Sequence, residues 1–312
     1  MIVIGMNKIY KLLVIILMSS ISLVGCNKDN DKKEKYVYNG ETPIFSSDSS
    51  SLTYGLYPQS YISDNNLIKS LNSLTRVESN GWYLYKGRYY AKIIASPYGN
   101  TYEFDNGDII VTGQQYWFRC EPISWKILNI ASGRYFIVSE KLLDAHDYYQ
   151  FTSERTIGGK TIYPNNYEYS DIRSWLNNDF YNSAFNLNSQ FVLTTVVDNS
   201  ASTTRHNNNP YICNNTTDNV FLLSYKDYVN TTYFPYDYHK ASITTEFARA
   251  RGSYTNYSSG STFNYCGNFY TRSPIEYDPN YVSYVYTSGS AGLVYVDRAF
   301  YSVRPAINIK VA

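Results

Sequence analysis

The sequence predicts an α+β fold, specifically a single β-rich domain with a few short helices. Runs of aromatic and β-branched residues, bounded by Gly, Asn and Pro, recur along the chain and are typical of strands. Apolar residues with the helical period of 3.6 occur in only a few segments, which lie between these runs. No linker rich in Pro, Gly and Ser follows residue 51, which favours one folded domain at residues 52–312.

The first half of this domain is predicted to consist mainly of strands. Its first strand, at residues 52–59, is expected to stop at Pro58, because proline has no backbone N–H to donate. A helix follows near residues 64–74, where four apolar residues fall on one face. Further strands are expected at residues 81–95 with a turn at 86–88, and at residues 102–104, 116–118, 123–128 and 134–138.

The second half contains the clearest helix of the chain, at residues 170–182. Ser170 is a suitable N-cap, and Asp171 lies at the positive end of the helix dipole. The apolar stripe of this helix consists of Ile172, Trp175, Leu176 and Phe180. The other expected elements are a helix that starts near Gln190 and grades into a strand at 194–197, a strand at 220–223, a helix at 245–251 ended by Gly252, and a three-stranded meander at 282–286, 292–296 and 302–309.

The N-terminal 25 residues are predicted to be a bacterial lipoprotein signal peptide. Lys8 and Lys11 precede an apolar run of 13 residues, from Leu12 to Val24, with no acidic residue. A helix that spans a bilayer needs roughly 20 apolar residues, so this run is too short for a good membrane span. The tetrad Leu23-Val24-Gly25-Cys26 resembles the bacterial lipobox, and this resemblance implies that Cys26 carries the lipid.

Residues 26–51 are expected to form a flexible tether. They are polar, charged and rich in Ser, with scarcely any apolar periodicity. Each buried methylene of an acyl chain contributes about 0.8 kcal/mol, and two chains make anchoring stable. The expected location is therefore extracytoplasmic, with the domain held at the membrane by its N-terminal lipid.

Charge and composition bound the possible partners. Without Lys8 and Lys11 the chain has 25 Lys and Arg against 26 Asp and Glu, and this balance argues against nucleic acid as a partner. Tyrosine is the unusual component, at 36 residues against 14 Phe and 4 Trp. Most tyrosines are expected in strands because of their β propensity. The alternative is that exposed Tyr and Asn form a binding surface of rigid, amphipathic contacts.

No metal site or cofactor is predicted. After Cys26 three cysteines remain, Cys120, Cys213 and Cys266, which allow at most one disulfide, and Cys213 with Cys266 is a possible pair because both lie in loop-like sequence. These cysteines and the three histidines lack the close spacings of a zinc site.

No catalytic residue is singled out by the sequence. The chain has no G-x-S-x-G, no H-E-x-x-H and no phosphate-binding glycine loop. Glu121, Glu140 and Asp144 could supply paired carboxylates, but one sequence does not place two of them together.

Two arginines and two tryptophans lie in apolar surroundings. Arg272 and Arg304 are interpreted as guanidinium groups that satisfy loop carbonyls, with ligand binding as the alternative. Trp125 and Trp175 follow the apolar period of their elements and are expected in the core.

Several segments together carry a family resemblance. They are Tyr54–Gln59, Trp117–Leu128, Ile137–Lys141, Ser170–Phe185, Val220–Ser224, Cys266–Gly267 with Arg272–Pro274, and Val303–Ala306. In this order they resemble the domain of unknown function 6273 family, from about residue 54 to 309 with a family core at 116–309. The C-terminal part, with its Arg-Ser-Pro segment, glycine-punctuated hairpin and Val-Arg-Pro, is similar to C-type-lectin-like domains.

The resemblance implies no particular reaction, because the family has none assigned, and its C-type-lectin-like part implies a fold. It places candidate ligand contacts just before and within Arg-Ser-Pro, at Asn268, Phe269, Tyr270 and Arg272. This chain has Gly267–Thr271 where family members tend to have tryptophans. The expected function is a cell-surface lipoprotein whose loops, such as 199–219 and 254–270, contact a polysaccharide or protein. The alternative is an extracellular enzyme that acts on glycans or proteins.

Overall fold

The largest element of the protein is a nine-stranded sheet. The computed structural model describes residues 37–258 and 260–311, of which β-strands are the major component, as the α+β prediction requires. The strands of this sheet are β1 (Ile44–Phe45), β2 (Ser51–Tyr61), β3 (Tyr83–Tyr85), β4 (Arg88–Ile94), β5 (Gln115–Ala131), β6 (Arg134–Ser139), β10 (Val192–Leu193), β13 (Phe221–Leu222) and β18 (Pro305–Lys310).

A five-stranded sheet and two short ribbons complete the strands. The smaller sheet has the order β16-β15-β14-β17-β7, and the ribbons pair β8 with β9 and β11 with β12. These strands are β7 (Asp144–Ala145), β8 (Arg155–Ile157), β9 (Lys160–Ile162), β11 (Thr195–Val197), β12 (Thr216–Asp218), β14 (Phe269–Pro274), β15 (Tyr281–Val285), β16 (Ala291–Tyr295) and β17 (Ser302–Val303).

The helices are short. They are α1 (Asn65–Asn72), α2 (Asp171–Trp175), α3 (Tyr181–Ala184), α4 (Tyr225–Val229) and α5 (Glu246–Ala250), with a π-helix at Leu176–Phe180 and 3₁₀ turns at Ala201–Thr203 and Asp237–His239. The predicted N-cap at Ser170 is confirmed at α2, and the first residues of two other expected helices, Asp64 and Thr245, cap α1 and α5. Helix α4 was not predicted, although Ser224 and Asp227 form a capping box at its start. The helix expected near Gln190 is absent, and β10 stands there.

Strand β5 is the centre of the large sheet. It pairs with β2, β4 and β6 and runs unbroken through the region where two separate strands were expected. The pairing of β5 with β2 shifts register twice, between Thr53 and Leu56 and between Pro58 and Ser60. Such irregularities accommodate prolines within a sheet. The expectation that Pro58 ends the first strand is therefore wrong.

The folded domain begins before residue 52. Strand β1 pairs with β2, and the amide of Gly55 donates to the carbonyl of Gly40 at 2.9 Å. The prediction of a tether across the whole of 26–51 is corrected from residue 37 onward, because this part is packed on β2. Residues 26–36 and the signal segment lie outside the described residues.

The predicted C-terminal meander is only half formed. Strands β15 and β16 are a hairpin, but the third strand is split at Arg304. Before it, β17 lies parallel to β14 in the small sheet; after it, β18 pairs with β6, β10 and β13 in the large one. The last strand thus joins the two sheets instead of closing a meander.

The core contains the residues that the sequence placed there. Trp125 is fully buried, and Trp175 packs against the core at its edge. Arg304 is buried and donates to the carbonyls of Ser139 at 2.9 Å and Lys240 at 2.7 Å. Its interpretation as a carbonyl-satisfying guanidinium is confirmed. Among residues 37–258 and 260–311, no helix is long and apolar enough to cross a membrane.

Candidate ligand-binding groove

The helical segment at residues 171–184 changes its hydrogen-bonding pattern in the middle. Ser170 accepts from the amide of Arg173 at 3.2 Å and starts α2, which passes into the π-helix and then into α3. Leu176 and Phe180 stay buried on one side, while Asn178 and Asp179 are exposed on the other. Single π-turns inside helices occur frequently at functional sites, which directs attention to this exposed face.

This face forms one wall of an open groove. The groove has a volume of about 630 Å³, and its other wall is the turn at Ser79 and Asn80. Four asparagines and three serines are among its lining residues, and we call it the asparagine groove. The helical wall and the residues that follow it contribute Asn178, Asp179, Tyr181, Asn182, Phe185, Asn186 and Ser189.

One buried aromatic ring connects the two walls. Tyr57 of β2 lies 4.9 Å from Phe180 and 6.3 Å from Trp82, measured between ring centroids. Phe180 belongs to the π-helix, and Trp82 follows directly on the turn at Ser79 and Asn80. Tyr57 therefore packs against residues that adjoin both walls.

The end of α3 is held by a second set of contacts. Phe185 is buried against Tyr54 at 5.1 Å and Trp125 at 6.4 Å between ring centroids. Gly55 makes this packing possible: a Cβ there would lie 2.7 Å from Phe185 Cε1, and its φ of +72° favours glycine. The hydroxyl of Tyr54 donates to the carbonyl of Asn188 at 2.6 Å, which anchors the chain after the helix.

The groove contains polar groups that the protein leaves available. Within the described part of the chain, the side chains of Asp179, Asn182 and Asn186 form no internal hydrogen bond and are exposed. Asn80 uses its Oδ1 to accept from the amide of Trp82 at 3.1 Å. Its Nδ2 is buried and has no hydrogen-bond partner.

The four residues predicted to bind ligand lie elsewhere, in the interior. All four side chains, Asn268, Phe269, Tyr270 and Arg272, are buried, and the last three belong to β14. Asn268 Oδ1 accepts from the amide of Thr287 at 3.0 Å. These side chains contact the protein itself, so the binding surface proposed below does not include them.

Arg272 acts as a structural fork. Its guanidinium donates to the carbonyls of Leu222 at 2.8 Å and Asp198 at 3.1 Å and to the carboxylate of Asp227 at 3.0 Å. The prediction that it satisfies loop carbonyls is confirmed. The hydroxyl of Tyr270 likewise donates to the carbonyl of Arg298 at 3.0 Å.

Two carboxylates, those of Asp144 and Glu246, accept several hydrogen bonds that link separate segments of the fold. Asp144 is buried and accepts from Tyr57 at 2.6 Å and from Arg251 Nε at 3.1 Å. Glu246 accepts from two backbone amides, and burial raises the pKa of its carboxyl group. Each joins separate parts of the chain, and neither lines the asparagine groove.

The three cysteines among the described residues form no disulfide. Cys120, Cys213 and Cys266 are free thiols, so the possible Cys213–Cys266 disulfide is absent. In the part of the chain that the structure describes, no group of three or more His, Cys, Asp or Glu could hold a metal ion. Cys26, the predicted lipid attachment residue, lies outside the described residues.

Sequence analysis missed the groove, although a signal for it exists. Asn178, Asn182 and Asn186 recur every fourth residue, and this spacing puts polar amides on the face opposite Leu176 and Phe180. The opposing wall, about 100 residues earlier in the chain, has no comparable sequence pattern.

Fold and site together define a β-rich α+β protein with an open groove lined mainly by asparagine and serine side chains. The chain belongs to the family described as Domain of unknown function (DUF6273), whose model matches residues 132–311. No curated protein and no solved structure matches the chain. The helical wall of the groove lies inside the family match, whereas Ser79 and Asn80 lie before it.

Proposed function

We propose that the protein is a lipid-anchored binding module outside the cytoplasm and that it holds a polysaccharide in the asparagine groove. In this proposal the acyl chains on Cys26 anchor the chain, and the domain presents the groove to the surroundings. The signal-like residues 1–25 and the lipobox-like tetrad support the anchoring. The similarity of the C-terminal part to C-type-lectin-like domains supports a binding function.

The observation that carries the proposal is the set of available amides in the groove. A primary amide offers two donors and one acceptor oxygen, which matches the mixed donor and acceptor character of sugar hydroxyls. Among the described residues, the Nδ2 of Asn178 donates to the carbonyl of Ser174 at 2.8 Å, whereas its Oδ1 accepts no hydrogen bond. Asn182 and Asn186 leave both ends of the amide available. Tyr181 adds an amphipathic ring to the same wall.

The groove favours binding over hydrolysis. Glycosidases commonly place two carboxyl groups on either side of the scissile bond, about 5–10 Å apart. Among the described residues that line the groove, Asp179 is the only carboxylate. The free amides account for recognition without a reaction, so a binding module is the better explanation.

The test is binding of the purified protein to a polysaccharide panel, with two matched double variants. Asn178→Ala with Asn182→Ala removes amides from the groove. Asn207→Ala with Asn208→Ala removes two exposed amides from the loop at 199–219, which sequence analysis named as a possible contact. We expect the first pair to weaken binding at least tenfold and the second to leave it unchanged. If only the loop variant lost binding, the binding site would be the loop and not the groove. If the only ligand found were a protein, the proposal of a polysaccharide ligand would be refuted.

Anchoring has its own test. In the Cys26→Ser chain the thiol that would take the lipid is missing, so we expect no acyl modification by mass spectrometry and loss of the protein from the membrane fraction. Cys213→Ser is the matched control, because it also removes one free thiol. Retention of the Cys26→Ser protein in membranes would contradict the proposal.

A further inference from the structure

We infer that the asparagine groove is selective for uncharged polysaccharides and discriminates against anionic ones. This inference rests on the proposed function and specifies the chemical class of its ligand. Three features of the groove carry it: its charge, the position of the helix end and the unpartnered amide of Asn80.

The charge of the groove disfavours anions. Asp179 is exposed on the helical wall, and no Lys or Arg is among the described residues that line the groove. Like charges repel, and the repulsion is stronger at a protein surface than in bulk water because the effective dielectric constant is lower. A carboxylate or phosphate in the groove would meet this repulsion without a compensating cation.

The position of the helix end also disfavours anions in the groove. Helix α3 ends at Ala184, and Tyr181, Phe185 and Asn186 bring its C-terminal turn to the groove. The last carbonyls of a helix carry partial negative charge, whereas anion sites use the amides of a helix start. The end of α3 therefore disfavours an anion beside it.

Asn80 defines what the ligand must supply. Its Oδ1 is occupied by the amide of Trp82, so the unpartnered Nδ2 is the end that needs an acceptor. A donor left without a partner is unfavourable, and because this Nδ2 is shielded from solvent, a ligand oxygen would satisfy it only after the Asn80 side chain turns toward the groove. The hydroxyl, ether and acetamido oxygens of neutral sugars are such acceptors, and they bring no charge close to Asp179.

The spacing of the amides suits a chain of repeating units. Asn178 and Asn182 are one helical turn apart, which corresponds to roughly 6 Å along the axis. Asn186 continues the row beyond the helix end. A row of similar groups can contact successive units of an extended ligand.

The experiment uses neutral polysaccharides and their carboxymethylated forms, so that each pair shares one backbone. We expect the protein to bind at least one neutral polymer, and carboxymethylation to weaken that binding at least tenfold. Asp179→Asn should recover at least threefold of the lost affinity. Asn80→Asp keeps an acceptor for the Trp82 amide and removes the donor, and it should weaken neutral binding at least fivefold.

The outcomes separate the two proposals. Equal or tighter binding of the carboxymethylated polymers, still abolished by Asn178→Ala with Asn182→Ala, would overturn the inference and leave the proposed function standing. If Asn80→Asp bound neutral polysaccharides as tightly as the unaltered protein, the role of the Asn80 amide as a donor to the ligand would also be overturned. Polysaccharide binding that is unchanged in the groove variants, or no binding to any polymer, would overturn both the proposed function and the inferred selectivity. Circular dichroism of each variant checks that a loss does not come from unfolding.

Discussion

Substitution of Tyr57 separates its two roles, because the ring and the hydroxyl make different contacts. The ring lies between Phe180 and Trp82 and holds the groove walls together. The hydroxyl donates to buried Asp144, which also accepts from Arg251 and from its neighbour's backbone amide. Tyr57→Phe removes only the hydroxyl, and Tyr57→Ala removes both.

The expected magnitudes follow from these contacts. Loss of one hydrogen bond to a buried carboxylate lowers the free energy of unfolding by about 1.5–3 kcal/mol. For a domain of this size that is a decrease of about 3–12 °C in Tm. Loss of the whole buried ring costs about 3–5 kcal/mol, from the lost burial of apolar surface and the cavity together. Tyr57→Phe should therefore keep ligand binding, and Tyr57→Ala should lose stability and binding together.

The measurement is urea unfolding followed by tryptophan fluorescence, with polysaccharide binding on the same samples. Tyr277→Phe is the matched control, because Tyr277 is 61% exposed and its hydroxyl has no partner in the described part of the chain. A Tyr57→Phe protein as stable as the Tyr277→Phe control would refute the account of Asp144. A folded Tyr57→Ala protein with unchanged binding would refute the account of the groove walls.

Three further predictions test other parts of the structure. Burial alone would lower the pKa of His146, but its hydrogen bonds to Asp147 outweigh burial and raise the pKa above its usual value. The charged imidazole therefore stabilises the fold fully below about pH 6.5, and this contribution is lost as the pH rises through the raised pKa. The free energy of unfolding should therefore fall more steeply between pH 6 and 9 than in His146→Gln; equal slopes would contradict this. Gly55→Ala should destabilise by about 1–2 kcal/mol or more from its positive φ, with added cost from the clash with Phe185, and a neutral effect in thermal melts would show that the close approach is wrong. Burial raises the pKa of Cys213 to about 11, so iodoacetamide at pH 8 should label it far more slowly in the native protein than in urea, as mass spectrometry would show; equal rates would rule out this environment.

Local sequence patterns predicted most elements correctly. The N-cap at Ser170, the hairpin turn at 86–88 and the end of α5 before Gly252 depend on residues that are close together in the chain. Caps, turn residues and apolar periods act over about ten residues, so one sequence contains the information that they require. The roles of Arg272 and Arg304 were also predicted, because a guanidinium in apolar sequence needs several acceptors.

Longer-range features were predicted poorly. The split at Arg304 sends β18 to a different sheet from β17, and this pairing depends on strands about 170 residues away. Burial of Tyr270 and its neighbours follows from the same arrangement, which turned the candidate ligand residues into core. Strand pairing over such distances is not specified by periodicity.

The sequence by itself determined a β-rich α+β domain and the starts of α1, α2 and α5, and it contains the amide row at Asn178, Asn182 and Asn186 without marking it as a site. Only the tertiary structure decided that this row faces a groove. The π-helix turns Asn178 and Asp179 outward, and Tyr57 places the turn at Asn80 opposite them. The physical reason is that a binding surface is formed by side chains that packing brings together, and here its two walls are separated by about 100 residues of chain.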